Sequence, residues 1–253
     1  MPLNLDGVFW IAVSLAPLML LQRGLQKEVQ LLFLYMTRRV DLSITLFSVL
    51  FFPGVLLHEG SHFVVARLLG VSTGRFSLLP RPVENGKLQL GYVETSPTDW
   101  VRDALIGSAP LISGGLFVAY AGIIQLGLLA LAQVFFSQGI EAFHQALRVA
   151  LAQPDFWLWF YLTLVVSSTM LPSASDRRAW LPLGIILGVL LGLSLLFGAG
   201  PWMAENLAGP FNRVLKAISS VFGISAALHL VLLPFIWLAR KLLGRALGLE
   251  VVI

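Results

Sequence analysis

Apolar runs long enough to cross a lipid bilayer recur along the chain, at 8–22, 42–70, 104–136, 154–172, 180–199 and 218–239. Lipid offers the backbone no hydrogen-bond partner, so such runs close their bonds internally as helices. The expectation is an all-α polytopic, multi-pass integral membrane protein of about six transmembrane helices. Composition agrees, being 57% apolar and 12% charged with a mean hydropathy of +0.85, far from a soluble domain. Leu31-Leu32-Phe33-Leu34-Tyr35-Met36 is too short to span and precedes Arg38 and Arg39, which places it at the membrane interface. The first run lacks a basic leader and a cleavage pattern, so it is expected to be a retained helix. With no cysteine, disulfides, thiolate ligands and cysteine nucleophiles are excluded. The net charge of +4 is spread over short loops, which fits membrane orientation and not nucleic acid.

Inside the run 42–70 stands His58-Glu59-Gly60-Ser61-His62. Ionisable side chains at membrane depth cost about 2.5–3.5 kcal/mol each on insertion scales, so three together need a compensating partner. A metal ion is one. On a helix, residues four apart share a face, so His58 and His62 can reach a single Zn2+ while Glu59 sits to the side as a general base. This is the HExxH arrangement of zinc hydrolases, and with this composition chance produces it in about two chains per thousand. The competing reading is a pair of core histidines bonded to backbone carbonyls.

Residues 71–100 are polar and contain no spanning run. Segments 74–79 and 88–95 alternate at period two around Pro80, Pro82 and Asn85-Gly86, which predicts a small membrane-associated β-hairpin between the second and third helices. An ordinary solvent-side loop is the alternative. In the fifth run, Gly184, Gly188 and Gly192 would let a neighbouring helix approach closely. Segment 137–153 is a loop candidate in which Glu141, His144 and Arg148 at helical spacing suggest a surface helix. No repeat or second-domain linker interrupts the chain, so 1–253 is expected to be one membrane domain, with a core at 42–180 and accessory helices at 1–41 and 181–253.

A catalytic zinc takes three protein ligands, so a third donor is needed from His, Asp or Glu. His144 lies in the loop candidate and His229 stands alone in the last apolar run; both read as structural or interfacial histidines. Asp176 follows a break at Pro172 into small polar residues at the membrane edge. If the hairpin returns to the face it left, the second and fourth helices run parallel and bring Asp176 near His58. Asp176 can also be read as a helix cap or as a partner of Arg177.

The chain resembles the site-2 protease family of intramembrane zinc metalloproteases over roughly residues 42–180. The likeness rests on His58-Glu59-Gly60-Ser61-His62, the hairpin, Ser108-Ala109-Pro110-Leu111-Ile112-Ser113-Gly114, and Leu171-Pro172 followed by Asp176. It implies Asp176 as third zinc ligand and Glu59 as the base of metal-assisted amide hydrolysis. Ser113 and Thr169 stand where the family carries substrate-binding asparagines, and Asp176 comes one residue early without a following glycine. The chain is thus read as a divergent member. Its implied partners are the bilayer and a transmembrane or membrane-associated polypeptide. Such a substrate would be held by strand addition along the hairpin, with Leu90 and Tyr92 as candidate contacts. Basic residues weigh slightly toward an active site nearer the cytosolic face. Two other functions compete. A membrane zinc protease of the CAAX-processing type would need Glu205 as ligand, and a non-catalytic zinc-binding scaffold or transporter component would keep the metal without turnover.

Overall fold

The computed structural model describes residues 6–82 and 88–248. In chain order the elements are α1 (Asp6–Thr37), α2 (Val40–Leu68), β1 (Thr73–Ser77), β2 (Arg81–Pro82), β3 (Leu88–Gln89), β4 (Tyr92–Thr95) and α3 (Trp100–Ala119). A π-helical turn at Tyr120–Gln125 prolongs α3, and α4 (Leu128–Leu151), α5 (Phe156–Ser167), α6 (Trp180–Leu196), α7 (Gly200–Asn206) and α8 (Ala208–Leu247) follow. Among the described residues, four helices are long and apolar enough to cross a membrane: α1, α2, α3 with its π extension, and α8. The pairs α4–α5 and α6–α7 bend by 96° and 112° at short breaks, which gives up to six spans if each bent pair counts as one. The fold is that of a helical multi-pass membrane protein, with many large apolar side chains such as Leu20, Val49 and Leu181 facing outward where lipid would lie.

Several boundaries differ from the sequence reading. The segment 31–36 is not a separate interfacial piece. It continues α1, because Leu25, Val29 and Tyr35 are buried along the same helix and nothing breaks it before Arg38, whose φ of 54° turns the chain into α2. The run 104–136 is not one helix either. It unwinds through the π turn and breaks at Gly127, whose φ of 61° suits a residue without a Cβ. The loop candidate 137–153 is helical throughout most of its length as part of α4, kinked at Gly139. Around Gly184, Gly188 and Gly192 no atom lies close enough to meet an added Cβ, so among the described residues the expected close neighbour is not there.

The predicted hairpin is present in a more broken form. β1 pairs antiparallel with β4, and β2 with β3, as two separate two-stranded sheets. The 88–95 segment therefore leaves the ladder at Leu90-Gly91, and 74–79 leaves it after Ser77. Asn85-Gly86 lies outside the described residues. Phe76 of β1 packs edge-on to Phe63 of α2, with ring centroids 5.9 Å apart, which holds the hairpin against that helix.

At the centre is α2, packed against α1, α3, α5 and the hairpin, while α8 runs along α1. The apolar core joins Leu18 and Leu25 of α1, Phe47, Phe51 and Val55 of α2, Val165 of α5 and Phe222 and Leu228 of α8. A Cβ on Gly54 would lie 2.5 Å from Thr169 Oγ1 and would meet the Val165 carbonyl, so only glycine lets α5 come this close to α2. Between α1 and α8, Arg240 donates to Glu28 with both side chains largely buried. Removing one partner of such a pair leaves an uncompensated charge, whereas removing both does not. We expect Arg240→Met to lower stability by about 3–5 kcal/mol and Glu28→Gln with Arg240→Met to recover most of it. Thermal unfolding in micelles checks this, and equal losses in the single and double variants would rule it out.

Candidate metal centre

Two turns of α2 carry His58, Glu59 and His62, and three other elements come to meet them. His58 Nδ1 donates to the carbonyl of Thr169, just beyond α5, at 2.6 Å. His62 Nδ1 donates to the carbonyl of Ile106 in α3 at 2.8 Å. A carbonyl oxygen only accepts, so each imidazole carries a proton on Nδ1 and turns Nε2 the other way, where a neutral ring offers a lone pair. Both Nε2 atoms face Asp176. His62 Nε2 lies 3.4 Å from Asp176 Oδ1, and His58 Nε2 lies 3.7 Å from Asp176 Oδ2.

These separations exceed the roughly 2.7–2.9 Å of a charge-assisted N–H···O bond. With both rings neutral, three acceptors converge without bonding one another directly, an arrangement that repels unless a proton or a metal cation lies among them. His58, His62 and Asp176 each offer one donor atom, all within 4.8 Å of one another, and together can hold a metal ion. The backbone bonds on Nδ1 are the outer partners that fix ring orientation and tautomer in metal-ligating histidines.

Asp176 is aimed by its own loop. Its Oδ2 accepts from the Ser173 amide at 2.7 Å, and its amide donates to Ser173 Oγ at 3.3 Å. Burial pushes the Asp176 carboxyl up, but His58, His62 and the Ser173 bonds outweigh this and hold it down at about 2, so it is a carboxylate at neutral pH. The loop is pinned to α3 by Arg178, which grips Asp103 with two bonds of 2.8 and 2.9 Å. Gly107 of α3 lies directly under the Asp176 carbonyl, which an added Cβ would strike. Asp176 thus neither caps a helix nor pairs with Arg177, which instead donates to the Ser173 carbonyl.

Glu59 is buried beside the triad. The chain between β3 and β4 crosses over it: a Cβ on Gly91 would sit 2.8 Å from Glu59 Cγ. Triad and Glu59 open into a cavity of about 690 Å³ that Leu90, Tyr92 and Thr169 also line. The hairpin therefore lies beside the histidines. The Thr169 hydroxyl, however, bonds back to Val165 and Val166, and its carbonyl is the part that serves His58. Ser113 donates weakly to Pro110 O at 3.4 Å and is not among the cavity-lining residues. His229 is buried between Ser225 O and Ser168 Oγ, a core histidine outside the converging group. Glu205 is exposed on α7 and outside the converging group.

Sequence reasoning did not find Ser173, Gly107, Gly91 or the Asp103–Arg178 pair, nor Gln22 and Gln26, which α1 places in the cavity wall. Only the acidic and basic partners had any local signal, as charges at membrane edges. No family model, curated protein or solved structure matches the chain.

We expect His58→Ala, His62→Ala and Asp176→Ala to lose stoichiometric metal. Gly107→Val, which changes no donor atom, should weaken metal affinity on the order of tenfold by displacing Asp176. Metal analysis of the purified variants decides this, and identical metal content in all four would remove the site.

Proposed function

We propose that the protein is an intramembrane zinc metallopeptidase, a divergent relative of the site-2 protease family, that hydrolyses peptide bonds of transmembrane or membrane-adjacent polypeptides. The observation that carries this reading is the placing of two histidines, a carboxylate ligand and a separate buried glutamate at one wall of a cavity within a membrane bundle. The donor set fits zinc. Two imidazole nitrogens and one carboxylate are a usual catalytic zinc ligand set, and here His62 Nε2 lies 3.4 Å from Asp176 Oδ1 and His58 Nε2 lies 3.7 Å from Asp176 Oδ2. His58, His62 and Asp176 would hold the ion, which when bound supplies Lewis acidity toward a water and the scissile carbonyl.

The remaining chemistry belongs to the chain. Glu59 accepts a proton as water adds to the carbonyl carbon, then delivers it to the amide nitrogen as the C–N bond breaks. Burial of Glu59 keeps bulk water from competing for that proton. A substrate helix has all its main-chain groups internally bonded and must unwind before a carbonyl reaches the site. β4 has β1 on one side and the cavity on the other, so an unwound segment can be held there by strand addition. The basic residues that flank this end of the bundle, Arg67, Arg102 and Arg178 among them, support placing it nearer the cytosolic face.

A second reading, a zinc-binding scaffold or transporter component without turnover, is favoured by one observation. Neither the Thr169 nor the Ser113 hydroxyl points a donor at substrate. Glu59→Gln separates the two. It should retain metal, since Glu59 is not a ligand, and lower cleavage of a reconstituted transmembrane substrate on the order of 10²–10⁴-fold. Tyr92→Pro should depress turnover with metal intact, because it removes a main-chain donor from β4. An unchanged rate in Glu59→Gln would take Glu59 out of the chemistry and leave the scaffold.

A further inference from the structure

The cavity has a wall that the metal chemistry does not use. Gln22 and Gln26, one turn apart on α1, line it together with His58, Asp176, Leu90 and Tyr92. Both carboxamides donate to the same acceptor, the carbonyl of Ser168, at 2.5 and 2.7 Å. One donor suffices there. Gln22 Oε1, meanwhile, is buried and has no hydrogen-bond partner among the described residues.

A buried amide oxygen left without a donor is costly, and native proteins seldom keep one without a use for it. At membrane depth, polar side chains facing a bundle interior mark ligand paths. A carboxamide presents one acceptor and a donor side by side, which is the complement of a peptide unit's N–H and C=O. We propose that Gln22 is a main-chain binding residue of this cavity: its carboxamide turns from Ser168, which Gln26 continues to hold, and its Oε1 accepts the amide N–H of an extended polypeptide segment. This inference rests on the peptidase reading and adds α1 to the substrate site. It also supplies the carboxamide that Ser113 and Thr169 cannot. The ligand class is an unwound stretch of polypeptide, recognised through its backbone and so with little dependence on its side chains.

The test removes the donor from the ligand and the acceptor from the protein. The probe is a fluorescein-labelled Leu/Ala transmembrane peptide of about 24 residues broken at its centre by Gly-Pro-Gly, with an unbroken Leu/Ala peptide as control. Binding is measured in nanodiscs to Glu59→Gln protein, which cannot turn the probe over. Near the break, each main-chain N–H is replaced in turn by an ester oxygen. One ester position should weaken binding about fivefold. Gln22→Met added to Glu59→Gln should weaken the parent peptide by about the same factor, and that ester should then have no further effect. If the ester losses are the same in the Glu59→Gln protein and in the double variant, or absent in both, the partner of Oε1 is water and the proposal falls while the peptidase reading stands. If Gln22→Met also loses the metal, Gln22 acts through Ser168 and Thr169 on His58, and the proposal falls likewise. If the broken peptide binds no tighter than the unbroken one to metal-replete protein, the substrate reading fails and takes this inference with it.

Discussion

Lipid gives a polar side chain nothing to bond, and α2 carries His58, Glu59 and His62 at membrane depth. At about 2.5–3.5 kcal/mol each on insertion scales, such groups need compensation from within the bundle. The neighbours of the two histidines come from three different elements: the Thr169 carbonyl past the end of α5, the Ile106 carbonyl in α3, and Asp176 in the loop before α6. Much of the bundle follows from that need. α5 must press on α2, which Gly54 permits, and the Asp176 loop must press on α3, which Gly107 permits. The Arg178–Asp103 pair then keeps the loop where it is.

The same logic explains the wall of the cavity. Where a chain breaks off helical bonding at the end of α5, the carbonyls of Ser168 and Thr169 are left over. One is taken by the two α1 carboxamides and the other by His58, so helix termination and the candidate metal site share one short stretch of backbone. Any change that lets α5 fray there reaches the histidine ring directly. The hairpin closes the other side, with Gly91 lying on Glu59 and Phe76 on Phe63.

What could be read from the sequence was what carries a local period or a charge in the wrong place. The helical spacing of His58 and His62, the alternation on either side of Pro80, and Asp176 after the Pro172 break are all of that kind, and the structure brings the triad together. The spans were legible as apolar runs, but their ends were not, because the π turn after α3, the break at Gly127 and the continuation of α1 to Thr37 are decided by packing against distant elements. Gly184, Gly188 and Gly192 carried the regular spacing of a packing face yet meet no neighbour among the described residues, while Gly54 and Gly107, without any pattern, are where backbones touch. Gln22 and Gln26 were invisible for the same reason. Their partner is 146 and 142 residues away in the chain.

The proposed chemistry turns on whether His58, His62 and Asp176 enclose a zinc ion. X-ray absorption at the zinc edge of the purified protein in micelles tests this most directly. It should show a four-coordinate shell of nitrogen and oxygen at about 2.0 Å, with the multiple scattering of two imidazoles. A six-coordinate, oxygen-only shell, or a spectrum without imidazole scattering, would contradict it.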